Sequence, residues 1–118
     1  MPKILVVDDA EFLRMRIKKM LVGDGFEVVE ASNGVEAVDS YMKEKPDVVL
    51  MDITMPEMDG LTALQEIKSK DNQAKVIMLT ALGQESVVLE AIKSGARDFV
   101  VKPFEKDRVI QAIRKLIA

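Results

Sequence analysis

Five short runs of strand-forming residues alternate with five segments of helical periodicity, and the connections between them are short. The strand candidates are Ile4 to Val7, Phe26 to Ala31, Asp47 to Asp52, Val76 to Leu79 and Phe99 to Val101. After each comes an apolar stripe at helical spacing. The first stripe is Phe12, Leu13, Ile17, Met20 and Leu21, and the second is Ala37, Val38, Tyr41 and Met42. The third is Leu61, Leu64 and Ile67, and the fourth is Val88, Ala91 and Ile92. The last, Val109, Ala112, Ile113, Leu116 and Ile117, is the most regular. Such alternation argues for one parallel sheet covered by helices on both faces. The expected fold is therefore α/β, a single doubly wound five-stranded parallel sheet with five helices, in one domain over 1–118. Phe26 to Ala31, interrupted by Glu27 and Glu30, is the most polar strand and is expected at an edge.

Composition narrows the chemistry. The chain has 118 residues, 48% of them hydrophobic, which suits one core. A net charge of -3 without a basic tract argues against nucleic-acid and anionic-membrane partners. The absence of cysteine excludes disulfides and thiolate zinc sites. The absence of histidine excludes a histidine nucleophile, base or metal ligand. No apolar run approaches the roughly 18 residues of a membrane span. The start Met1-Pro2-Lys3 lacks a signal-peptide pattern. These features lead to the expectation of a soluble cytoplasmic domain; a monomer without a fused output domain is also expected.

The chemistry gathers at strand ends. Val48 to Met51 is fully apolar and stops at Asp52, with Pro56 and Gly60 breaking the chain soon after. Such a run reads as a strand buried on both faces. Ligands of parallel α/β sheets sit at the carboxyl ends of the strands. The first strand ends in Asp8-Asp9, the third in Asp52, the fourth in Thr80 and the fifth in Lys102-Pro103. In the doubly wound order 2-1-3-4-5, borrowed from other sheets of this class, the three carboxylates flank one crevice. Thr80 and Lys102 then close its other side. Carboxylates about 4 Å apart at an effective dielectric near 20 repel by roughly 4 kcal/mol a pair. Raised pKa values, Lys102 or a bound cation must offset this. Magnesium suits oxygen ligands without imidazole. A nucleophilic carboxylate gives an aspartyl phosphate, a chemistry that needs positioning and charge neutralisation more than acid–base groups.

Each residue also has a plainer explanation. Asp8 with Glu11 fits a helix capping box. Thr80 could simply end a strand, Lys102-Pro103 could be a surface turn, and Asp52 could cap a loop. Their coincidence at successive strand ends is what favours a site.

These residues resemble the response-regulator receiver family over the whole chain. The matching pieces are Ile4 to Asp9, Met51 to Gly60, Leu79-Thr80-Ala81, Gly95-Ala96 and Lys102-Pro103-Phe104. Asp52 to Pro56 and Asp98 to Phe104 look most similar to the family's stand-alone chemotaxis regulators. The resemblance implies a flavodoxin-like sheet of order 2-1-3-4-5. It also implies that Asp52 accepts a phosphoryl group from the phosphohistidine of a histidine sensor kinase. By the same resemblance Asp9 binds Mg2+ directly, Asp8 through water, and Thr54 through its main-chain carbonyl. Thr80 bonds the phosphoryl oxygen, Lys102 pairs with it, and Phe99 takes the switching aromatic position. Phe99 lacks the hydroxyl of relatives with tyrosine there. Thr54 and Leu82 resemble lifetime-tuning positions, and a cis Lys102-Pro103 bond is implied. The implied partners are that kinase, a motility or adaptor protein and a phosphatase.

Within this reading the face from Gln84 to Arg114 changes shape on phosphorylation, with Glu85, Lys93, Arg97 and Lys106 exposed on it. A rival docking face lies near Phe12 and Arg14. A phosphorelay intermediate is an alternative. A phosphohydrolase of the haloacid dehalogenase type wants an aspartate two residues after the nucleophile, where this chain has Thr54. A flavin carrier wants a hydroxyl-rich first loop and aromatics, where this chain has Asp8-Asp9 and 4% aromatic residues.

Overall fold

The structure, a computed structural model, describes residues 1–117; Ala118, the last residue of the expected domain, lies outside the described residues. The elements run β1 (Lys3–Val7), α1 (Glu11–Gly23), β2 (Glu27–Ala31), α2 (Gly34–Glu44), β3 (Val48–Asp52), α3 (Gly60–Lys70), β4 (Val76–Thr80), α4 (Glu85–Lys93), β5 (Asp98–Val101) and α5 (Lys106–Ile117). The strands form one sheet in the order β2-β1-β3-β4-β5. Every pairing is parallel. The polar β2 lies at one edge, as its glutamates imply, and the short β5 forms the other.

Alternate residues of each strand feed two separate cores. Leu5, Val49, Met51 and Met78 meet α2, α3 and α4 through Ala37, Tyr41, Leu64, Ile67 and Ala91. Ile4, Val6, Leu50 and Ile77 meet α1 and α5 through Ile17, Leu21, Val109 and Ile113. Every residue of β3 and β4 is buried, which explains why those runs carry no alternation. Each large aliphatic side chain so placed contributes roughly 1.5–3 kcal/mol relative to exposure. The helix α4 is anchored most lightly, with Ala91 its one fully buried residue.

The structure departs from the sequence pattern in several places. Phe12, Met42 and Ile92 belong to apolar stripes, yet they are 74%, 44% and 43% exposed. Leu13 is half-buried instead of its neighbour Phe12, because adjacent helical residues point about 100° apart and cannot both face the sheet. Phe26 precedes β2 rather than opening it, and is buried beneath the guanidinium of Arg114, 5.0 Å from the ring centroid. The capping box, the plainer alternative for Asp8 and Glu11, does not form, since α1 begins after Ala10 without a side-chain cap. At α2 the N-cap Asn33 does cap, and the Glu36 side chain reaches back one residue further, to Ser32. Glu36 N–H donates to Asn33 Oδ1 at 2.9 Å, while Glu36 Oε1 accepts from Ser32 N–H at 3.0 Å.

Candidate functional site

The β1–α1 loop fixes the first carboxylates. Asp8 is buried, and its Oδ1 accepts the main-chain N–H of Ala10 at 2.8 Å. Its carbonyl accepts from Arg14 Nη1 at 2.7 Å, and Arg14 Nε donates to Glu30 Oε1 at 3.0 Å. Arg14 thus ties the loop to the edge strand, so it points inward and is not free for docking, as the rival face would require. Asp9 stands exposed beside Asp8.

The third strand delivers Asp52 into the same crevice. Oxygen atoms of Asp8, Asp9 and Asp52 all lie within 4.8 Å of one another. Asp52 is 8% exposed and Asp8 1%. Burial pushes the Asp52 carboxyl above its ordinary range, the Lys102 ammonium pulls it back, and the charges of Asp8 and Asp9 push it up again. Lys102 Nζ lies 3.1 Å from Asp52 Oδ1 and 3.3 Å from Asp8 Oδ2. One ammonium therefore serves two buried carboxylates, and a third carboxylate has no cation within bonding distance among the described residues. This excess of anionic oxygen fits a hard divalent ion such as Mg2+. The Lys102–Pro103 peptide bond is cis.

The loop after Asp52 is sharply turned. Met58 N–H donates to the Pro56 carbonyl at 2.7 Å around Glu57, whose φ is +66°. Gly60 N–H then donates to the Ile53 carbonyl at 2.7 Å, so the start of α3 lies directly over the end of β3. A Cβ at Gly60 would collide with the Asp52 carbonyl, which explains the glycine.

Thr80 is buried at the end of β4, next to β3 in the sheet. Its hydroxyl donates to the Ala81 carbonyl at 2.9 Å and makes no bond to Asp52. Phe99 is 38% exposed on β5, paired in register with Met78. It shares with Thr80, Val88 and Leu89 the wall of an apolar cavity of about 340 Å³ between α4 and β5. Leu82 projects outward, 82% exposed. Thr54 is exposed, and its hydroxyl accepts from Gln84 Nε2 at 3.0 Å.

The structure thus brings Asp8, Asp9, Asp52 and Lys102 into one cluster, with Thr80 and Phe99 behind it and Thr54 and Leu82 on the loops around it. Sequence reasoning missed the inward work of Arg14 and the bridging role of Gln84. Neither belongs to a motif, and the only signal was position close to a strand end.

Comparison with known proteins agrees with this geometry. Residues 4–114 match the response regulator receiver domain model. Chemotaxis protein CheY of Bacillus subtilis is 60% identical over 98% of this chain and 97% of its own length. CheY of Thermotoga maritima is 52% identical over 97% of this chain and 96% of its own. A solved complex of CheX, CheY, beryllofluoride and magnesium from Borrelia burgdorferi matches with a TM-score of 0.93 at 37% identity. That match covers 99% of this chain and 90% of the other. The chain belongs to the response regulator receiver domain family of two-component systems, and its similarity to chemotaxis regulators extends along its length.

Proposed function

We propose that this protein is a phosphorylation-operated interaction switch of the CheY type in a chemotaxis or motility system. The observation that carries the reading is the cluster of three carboxylates around one ammonium at the carboxyl ends of β1, β3 and β5. In the reaction, a carboxylate oxygen of Asp52 attacks the phosphorus of a phosphohistidine on a CheA-like histidine sensor kinase. The phosphorus–nitrogen bond breaks, and the departing imidazole takes a proton from solvent. Asp9, Asp8 through water, Asp52 and the Thr54 carbonyl would hold Mg2+, which supplies neutralisation of the phosphoryl charge when bound. Lys102 stays beside Asp52 and pairs with the added anionic oxygens. The domain is then a phospho-accepting signalling partner rather than an enzyme acting on a separate substrate.

The Thr80 hydroxyl, now bonded to Ala81, turns to the phosphoryl group. Phe99 moves into the space this vacates, and the surface of α4, β5 and α5 changes shape for a motility or adaptor protein. A coupling of about 1–3 kcal/mol between phosphorylation and partner binding is the usual size for such a device. The exposure of Glu85, Lys93, Arg97 and Lys106 on this surface supports the reading. A relative is solved in complex with CheX, beryllofluoride and magnesium, which supports a second partner for the phosphorylated form; we assign that role to a phosphatase. A cytoplasmic monomer fits these roles, and no described helix is long and apolar enough to cross a membrane.

Labelling by acetyl phosphate tests the reading. The wild type should take up one phosphoryl group in magnesium and none in chelator, and Asp52→Asn should take up none. Equal labelling of Asp52→Asn would overturn the assignment.

A further inference from the structure

The mouth of the site carries a bridge that the phosphoryl chemistry above does not use. Gln84 occupies the N-cap position of α4, yet its side chain caps nothing in that helix. Its carboxamide turns the other way. Oε1 accepts the main-chain N–H of Ala81 at 2.7 Å, and Nε2 donates to the hydroxyl of Thr54 at 3.0 Å. Ala81 follows Thr80 directly, and Thr54 stands two residues after Asp52. The last main-chain bond between these strand ends runs from Ile53 N–H to the Leu79 carbonyl at 3.3 Å. Beyond it, among the described residues, the Gln84 side chain is what joins the loop after β3 to the loop after β4.

An N-cap side chain ordinarily satisfies a free N–H of the first helical turn. Here that stabilisation is forgone in favour of a link between two loops. The linked state is also the one in which the Thr80 hydroxyl is bonded to Ala81. The bridge and the Thr80 bond thus share Ala81 as their anchor, one through its N–H and the other through its carbonyl. Turning Thr80 toward Asp52 releases the Ala81 carbonyl and moves the segment that Gln84 holds.

We infer that Gln84 is a positioning residue that holds the β4–α4 loop in the unphosphorylated arrangement by latching Ala81 to Thr54. It sets how readily Asp52 is phosphorylated. A contact made in one of two states shifts the equilibrium toward that state, so removing it favours the other. This inference rests on the phosphoswitch reading above.

Beryllofluoride with magnesium is the probe, and Gln84→Met and Thr54→Val are the variants. Both nearly preserve shape; Gln84→Met deletes both hydrogen bonds, Thr54→Val deletes the one to Thr54, and the Thr54 carbonyl remains. Each variant should bind beryllofluoride about threefold to tenfold more tightly, the scale of one or two exposed hydrogen bonds. The double variant should gain no more than Gln84→Met alone, because that change already removes the whole link. Thermal unfolding without beryllofluoride reports any merely structural effect. Unchanged or weaker binding in the single variants, or additive gains in the double variant, overturns the latch. Asp52→Asn serves as the control. Failure of the wild type itself to bind beryllofluoride overturns the phosphoswitch reading, and the latch with it.

Discussion

Nζ of Lys102 lies 3.1 Å from Oδ1 of Asp52, a contact between the ends of two strands separated by β4 in the sheet. The same ammonium reaches Asp8 at 3.3 Å, so one cation spans the crevice. Lys102→Ala should leave two buried carboxylates facing each other without it. The expected loss is about 1–3 kcal/mol at neutral pH, typical of a hydrogen bond removed from a charged group. Urea unfolding at pH 7 and at pH 4 checks this, with the smaller loss at pH 4, where a raised Asp52 takes up a proton.

Asp52 itself should show the opposite sign. Its pKa in the fold stands above the ordinary 3.8, so ionising it costs more folded than unfolded. Stability from this group is full below the unfolded value and falls as pH rises through the folded one. Asp52→Asn should therefore be more stable than the wild type at neutral pH without magnesium. The advantage should fade as pH drops toward about 4. Thermal melts across that range give the comparison, and a variant less stable than the wild type at pH 7 would contradict it.

Asp9 is exposed, and its charge adds to the repulsion on Asp52. Asp9→Ala should raise stability in chelator by about 0.5 kcal/mol, the scale of an exposed charge interaction. The same change should abolish the stabilisation that the wild type gains from millimolar magnesium. Paired melts with magnesium and with chelator measure both effects.

Gly60→Ala should be costly although the added group is one methyl. Its Cβ would meet the main-chain carbonyl of Asp52, and backbone cannot move aside as a flexible side chain can. A loss of about 1–3 kcal/mol is expected from such overpacking, together with slower labelling of Asp52. Denaturant unfolding and acetyl phosphate uptake provide the two readouts.

Much of this arrangement was legible because strand ends are marked in the residues. The buried runs of β3 and β4 stop abruptly at Asp52 and Thr80, and the glutamates of β2 mark an edge. Once the order of strands is known, adjacency of Asp8, Asp9, Asp52 and Lys102 follows from topology alone. Other features depend on where a flexible side chain turns, which periodicity does not specify. Arg14 could have pointed to solvent, but it bonds the Asp8 carbonyl. Gln84 could have capped α4, but it crosses to Thr54. Phe12 carries the hydrophobicity of a core residue, yet its neighbour Leu13 is the one turned toward the sheet.

The most direct test of the switch is amide chemical-shift mapping of the wild type with beryllofluoride and magnesium. Phosphorylation-like changes should begin at Asp52, pass through Thr80 and Ala81, and extend to Phe99, α4 and the exposed side of α5. Asp52→Asn should show none of them. Perturbations confined to Asp9 and Asp52, with Phe99 and α4 unmoved, would contradict the proposal that this surface reads the state of Asp52.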